Sequence, residues 1–386
     1  MKRVFRAVGR IVNLSTTTAA AAAAARRPPV VIHIPTGNDS ASLLPASAFI
    51  GLLSLPVAVV LADDEQQQQG LTKIEDGSVV SNIHTCKWRV FTDNARDLFF
   101  QGKLDDAERL FVGALQQAKQ GFGQRDPHVA SACNNLAELY RVKKAFDKAE
   151  PLYLEAISIL KESYGHEDIR VGAALHNLGQ FYLVEKKLDA AYACYERALK
   201  IKRRILGENH ADYAETMYHL GKVLYLQGNG KDAESLIKDS IRILEDGEQG
   251  ESFLCMRRLR YLVQIYISSN KVTDAVIIQR KILHRLEVSK GWDSLETLIA
   301  AESLALILQS AGSLIEAKEL LQRCLDSRRR LLPADHIQMA ANMLHMARVE
   351  LLLYAQSRDS STAVIDKAKD LIGNAIRYSH TMDFKC

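Results

Sequence analysis

A spacing of 42 residues constrains this chain more than any other feature. Stepping by 42 from Leu178 lands on Leu136 behind it and on Leu220, Leu262, Leu304 and Met346 ahead. The same step from Ala191 gives Ala107, Ala149, Ala233, Ala275 and Ala317. A third column is small at Ala95, Ala137, Gly179, Gly221, Ala305 and Ala347, with Val263 its one exception. Around each column apolar residues recur at three- and four-residue spacing, broken once per unit by a polar turn such as Glu185-Lys186-Lys187-Leu188-Asp189. That pattern predicts two amphipathic helices per unit.

Two antiparallel helices approach closely only where one presents nothing larger than Gly or Ala, so the small columns mark the helix crossings. A large residue at Gly179 or Ala191 would overpack the crossing at a cost of roughly 1–3 kcal/mol. One hairpin cannot bury both of its apolar faces alone. Each must therefore stack on the next, which makes a solenoid. The column Asp126, Asp168, His210, Ser252, Ser294 and His336 stands at the start of each first helix, and most of these residues are N-cap formers. His210 and His336 have that plain explanation, and so does the His166-Glu167-Asp168 run.

Leu178, Gly179, Tyr182, Ala191, Tyr195 and Ala198 occupy the signature positions of the tetratricopeptide repeat, which the chain resembles from about Trp88 to Ser379. The 42-residue unit, with Leu206-Gly207-Glu208-Asn209-His210 leading into the next helix, is similar to the kinesin-light-chain-like subgroup. The resemblance implies an all-α fold, a right-handed superhelical α-solenoid of antiparallel helix hairpins. About seven repeats are expected over residues 87–386. The last is degenerate, because Ala368 aligns with Ala317 only across an insertion of about nine residues. In this family the first helix of each hairpin lines a concave groove that holds protein or peptide segments. Carried onto this sequence, the groove residues are Asn135, Glu138, Asn177, Gln180, His219, Lys222, Tyr261 and Gln264. The Lys/Asn/Arg clamp by which some relatives hold a C-terminal carboxylate is absent, its positions carrying His176, Gln180, His219, Arg257 and Tyr261.

The first 42 residues read as an organellar targeting presequence. Lys2, Arg3, Arg6 and Arg10 alternate with Val4, Phe5, Val8, Ile11 and Val12, and no acid occurs before Asp39. A basic tail without a targeting role is the plainer alternative. Residues 43–62 are twenty uncharged residues, long enough to span a hydrocarbon core, although Pro45 and Pro56 interrupt them. A membrane anchor, a cleaved second sorting signal ending near Ala62 and an apolar flap all fit this stretch. Residues 63–86, with four consecutive glutamines from Gln66, read as a polar linker.

The formal net charge of +4 belongs to the leader, since residues 1–62 hold six Lys/Arg against Asp39 while the remainder is nearly neutral. A nucleic-acid partner is therefore not expected. The six cysteines form no CxxC pair. Cys133, Cys194 and Cys324 fall in apolar helix columns, where buried small hydrophobes are expected. No HExxH, GxSxG, Walker or Rossmann pattern occurs, and Gly228-Asn229-Gly230-Lys231 reads as a turn between helices. No catalytic, cofactor-binding or metal-binding residues are expected. The basic runs Lys200 to Arg204 and Arg328 to Arg330 read as solvated faces near helix C-termini.

These observations predict a non-enzymatic interaction scaffold, delivered to an organelle and tethered to a membrane through residues 43–62. Its expected task is assembly or maturation of a protein complex. The Arg-rich start favours the mitochondrion over the chloroplast, with the repeats facing the intermembrane space from the inner membrane. The alternative is a cytosolic cargo adaptor of the kinesin-light-chain type, although no long heptad coiled coil accompanies these repeats.

Overall fold

The computed structural model describes residues 83–333, 336–356 and 362–383. The expected presequence 1–42, the apolar segment 43–62 and linker residues 63–82 lie outside the described residues. Among the described residues there are fourteen α-helices and no strand. They are α1 Ile83–Phe100, α2 Leu104–Phe122, α3 Pro127–Val142, α4 Phe146–Tyr164, α5 Ile169–Val184 and α6 Leu188–Leu206. There follow α7 Ala211–Leu226, α8 Gly230–Asp246, α9 Phe253–Ser268, α10 Val272–Lys290, α11 Leu295–Ser310, α12 Leu314–Leu331, α13 Ile337–Gln356 and α14 Thr362–Asp383. Each helix packs mainly on its neighbours in sequence, giving seven stacked hairpins and the α-solenoid that the spacing predicts. The first helix starts at Ile83, so the last residues of the expected linker are already helical.

The cap column works as a set of caps. Asp126 and Asp168 accept from the backbone N–H of His128 and Arg170, each at 2.8 Å. His210 Nδ1 accepts from Asp212 N–H at 3.1 Å, and His336 Nδ1 from Gln338 N–H at 3.2 Å. The hydroxyls of Ser252 and Ser294 complete the series on Cys255 and Thr297. Inside the hairpins the turn places one residue per unit at positive φ, again 42 apart: Gly102, Lys144, Lys186, Gly228, Asn270 and Gly312. Three of these are not glycine, so the repeat imposes the turn even on side chains that resist it.

The small columns sit where the helices cross. Ala107, Ala149, Ala191, Ala233, Ala275 and Ala317 are all fully buried. A Cβ on Gly179 would lie 2.9 Å from the Tyr195 ring, and one on Gly221 would lie 2.9 Å from Ile237. Both positions are closed to any side chain unless the large residue opposite moves. Cys133, Cys255 and Cys324 are buried and Cys194 is half-buried. Burial pushes the Cys133 and Cys324 thiols up to about 12 and Cys194 to about 11, which leaves them unreactive.

Adjacent hairpins are tied by a recurring bond from the first helix of one to the second helix of the hairpin before it. The phenol of Tyr140 donates to Glu108 at 2.9 Å, Tyr182 to Glu150 at 2.8 Å and Tyr266 to Glu234 at 3.3 Å. In the same columns stand Tyr192 with Leu224 and Val276 with Leu308, and those two junctions are tied elsewhere, by Gln227 donating to Asp189 at 2.8 Å and by Gln279 donating to the Ala300 carbonyl at 2.9 Å. At the last junction the tie becomes an ion pair, Lys318 to Glu350 at 3.0 Å. The insertion expected in the last repeat is partly helical. Helix α13 has 20 residues where α11 has 16, and Ala368 regains the buried place.

Candidate protein-binding surface

The columns expected to line a groove divide into two regions. Asn135, Glu138, Asn177, Gln180 and His219, on α3, α5 and α7, are all buried. Lys222 and Tyr261 are half-buried and Gln264 is exposed. Five of the eight residues are therefore less open than expected, and the bonds they make stay within their own helix or hairpin or reach the first helix before. Asn177 donates to Asn134 at 3.0 Å, and Gln180 donates to His176 Nε2 at 2.9 Å. His176 in turn uses Nδ1 toward Thr216 Oγ1 at 3.1 Å. Glu138 accepts from Arg141 at 2.8 Å and from the Tyr153 phenol at 2.5 Å. From α9 onward the same face opens: Arg260, Ile299, Leu344 and Arg348 are exposed, and Ser303, Leu306 and His345 are half-buried.

At the boundary between these regions lies a buried charged cluster. The Glu215 carboxylate accepts from Arg258 at 2.6 Å, from Arg257 at 2.7 Å and from His219 Nε2 at 3.0 Å. Arg258 is fully buried and donates also to the Ser240 carbonyl at 2.8 Å. Burial alone would push the Glu215 carboxyl up, but His219, Arg257 and Arg258 outweigh it and hold it well below the usual range. Burial takes the His219 imidazole down to about 4 and places that of His176 well below its ordinary value, so both are neutral at pH 7. Lys222 hydrogen-bonds to no group of the described chain, and its ammonium lies 5.7 Å from the ring centres of both Tyr218 and Tyr261. Burial and the neighbouring Arg257 lower its pKa. Register could have found this cluster, because Glu215 and Arg257 share a column one repeat apart, as do Thr216 and Arg258. The expected groove residues were drawn from two other columns, which passed over Glu215, Arg258 and Tyr218.

The basic runs also depart from expectation. Lys202 and Arg328 are buried rather than solvated, while Lys200, Arg203, Arg204, Arg329 and Arg330 are exposed. They occupy one column, three repeats apart, and make the same contact. Lys202 reaches the Asp212 carbonyl at 3.4 Å, and Arg328 reaches the Gln338 carbonyl at 3.3 Å and Glu302 at 2.7 Å. Each cation fixes the entry of the next first helix, a role that a charge run does not reveal in sequence. Among the described residues no group of three or more His, Cys, Asp or Glu side chains is placed to hold a metal ion. None of the described helices is long and apolar enough to cross a membrane.

Family models described as tetratricopeptide repeat match residues 89–166 and 170–246, and another of the same description matches 297–338. No curated protein matches the chain. Among solved structures, a signal transduction ATPase with a tetratricopeptide repeat sensor from Pyrococcus horikoshii is similar at 14% identity and TM-score 0.60. The match covers 88% of this chain and 48% of that one, so this chain spans about half of the Pyrococcus protein. The C-terminal part of a repeat protein from Cytophaga hutchinsonii matches at 14% identity and TM-score 0.52, over 74% of this chain and 98% of that one. Kinesin light chain TPR-like repeats from Podosopora anserina match at 18% identity and TM-score 0.49, over 53% of this chain and 98% of that one. At these identities the likeness concerns the fold.

Proposed function

Because the chain belongs to the tetratricopeptide repeat family, whose members commonly bind protein or peptide partners, we propose that it is a non-enzymatic scaffold holding a segment of a partner protein along its first-helix face. The observation that carries this reading is the opening of that face from α9 onward. There Gln264, Ile299 and Leu344 are exposed, and Tyr261 is half-buried against Tyr218 and Tyr225, next to a cationic cluster on α7 and α9 that other side chains hold in place. An amphipathic face of this kind offers apolar anchors and directional polar contacts together. The buried members of the expected set, Asn135, Glu138, Asn177, Gln180 and His219, serve here as a frame, while Lys222, Tyr261 and Gln264 meet the partner. We infer further that the scaffold works in a mitochondrion, with the chloroplast as the alternative, and acts in assembly or maturation of a protein complex. The basic leader, free of acids before Asp39, and the uncharged stretch 43–62 support delivery and tethering at the inner membrane, with the repeats toward the intermembrane space.

The combined variant Tyr261→Ala, Gln264→Ala and Ile299→Ser should melt within a few degrees of wild type. It should lose at least tenfold of the partner cross-linked in mitochondrial extract. Full retention of every cross-link by the folded variant would move the interface off this face. A C-terminal fluorescent fusion, compared with and without residues 1–29, tests the compartment: an unchanged cytosolic signal from both forms contradicts organellar delivery.

A further inference from the structure

Within the cluster at α7 and α9, the cations Lys222, Arg257 and Arg258 face a single carboxylate, Glu215. His219 is neutral, so two positive charges stay uncompensated at this point. Behind them Lys202 and Asp212 add one charge of each sign. Buried or half-buried cations are ordinarily paired, because removing them from water costs several kcal/mol each on the order-of-magnitude scale. Glu215 makes no bond to Lys222, its oxygens accepting from Arg258 on one side and from Arg257 and His219 on the other. The Lys222 ammonium thus keeps three N–H groups without an acceptor in the described chain, and the buried Arg257 Nε–H is unpartnered as well. Tyr218 and Tyr261 wall the ammonium on two sides, edge to face with each other at 5.8 Å. Arg260, next to Tyr261, is exposed and has no carboxylate partner.

We propose that Lys222 and Arg257, between Tyr218 and Tyr261, form a site for a dianionic phosphate group, carried by a phosphorylated side chain of the bound segment. The inference rests on the first-helix face being the partner-binding surface. A phosphate matches the surplus in sign and in size, and its three oxygens can take the open N–H groups of a lysine and an arginine at once. A single carboxylate would leave one charge uncompensated. Glu215 preorganises the site by holding the two arginines. Beyond its place between the two rings Lys222 makes no hydrogen bond or ion pair in the described chain, so its loss leaves no buried polar partner stranded.

Two measurements on the full chain test the site. At pH 8 and constant ionic strength, inorganic phosphate should bind at least tenfold more tightly than acetate. Lys222→Met, with a wild-type melt, should lose that preference while Lys222→Arg keeps it. Acetate matching phosphate, or Lys222→Met binding phosphate like wild type, overturns the site. The second probe is a set of peptide libraries with phosphoserine, serine or glutamate fixed at the centre. Only the phosphoserine set should be retained, and both Lys222→Met and Tyr261→Ala should abolish retention. Retention that depends on Tyr261 and not on the phosphate overturns this inference and leaves the groove reading standing. Phosphate-dependent retention untouched by Tyr261→Ala and Gln264→Ala overturns the groove reading on which the inference rests.

Discussion

In α3, α5 and α7 the residue before the signature leucine is Asn135, Asn177 or His219, and each is buried. In α9, α11 and α13 the same column reads Tyr261, Ser303 and His345, and each is partly open. The backbone repeat is common to both regions, so the difference lies in the side chains. Where polar groups bond across neighbouring first helices, as Asn177 does to Asn134 and His176 to Thr216, they become structure. Where the columns turn apolar or bear no cross-helix bond, the face stays available. One column can thus be frame in one half of a solenoid and contact surface in the other.

Column-matched substitutions can break that comparison. The largest contrast is expected between Glu215 and its counterpart two repeats on, Ile299. Glu215→Leu strands Arg257 and Arg258 and should cost about 3–5 kcal/mol. Ile299→Ser, at an exposed position, should stay within about 1 kcal/mol. Urea unfolding of both variants reads this directly, and equal losses would show that the open region is as cooperative as the closed one.

A second contrast uses pH. His219 is held neutral in the fold down to about 4, whereas in the unfolded chain it takes a proton near its ordinary 6.5. Between those values the unfolded state binds more protons, so stability is full above pH 6.5 and falls as the pH drops toward 4. Each pH unit below 6.5 should cost about 1.4 kcal/mol for such a histidine. Replacing His219 with Gln should flatten the loss between pH 7 and 5. His345, in the same column, is lowered by burial too but is partly open, so His345→Gln should flatten the curve less. Superimposable pH curves for the two variants would refute the contrast.

The smallest contrast concerns single hydrogen bonds. Asn177→Ala deprives Asn134 of its partner and should cost about 1 kcal/mol. Ser303→Ala, in the same column, loses only a bond to its own helix and should stay within about 0.5 kcal/mol. Melting temperatures that fall equally would mean that the closed face owes nothing to its polar bonds.

The hairpins, their crossings and their caps were legible in the sequence because each depends on residue type at a fixed step along the chain. Ala191 must be small wherever two helices cross, and Asp168 or His210 must cap wherever a helix begins. The displaced last repeat was legible for the same reason. The state of the first-helix face was not, because Asn177 is compatible equally with water and with Asn134. Only the partner one repeat away decides which. Lys202 and Arg328 were misread likewise, since a cation among cations looks solvated until a carbonyl of the next helix is found within reach. Glu215 over Arg257 and Arg258 was open to discovery by comparing columns in pairs rather than singly.

The ties between hairpins have a mechanical consequence. A phenol bonded to a carboxylate resists sliding and twisting, because the bond weakens steeply once its angle is lost. Where Leu224 and Leu308 stand in place of the tyrosine, a glutamine amide takes over the tie, Gln227 donating to Asp189 at 2.8 Å and Gln279 to the Ala300 carbonyl at 2.9 Å. Every junction between the described hairpins thus keeps at least one directional bond, and torsional stiffness is spread along the stack rather than broken at particular joints. A load applied at one hairpin is thus passed to the next, and the cationic cluster on α7 and α9 is carried by tied neighbours on either side.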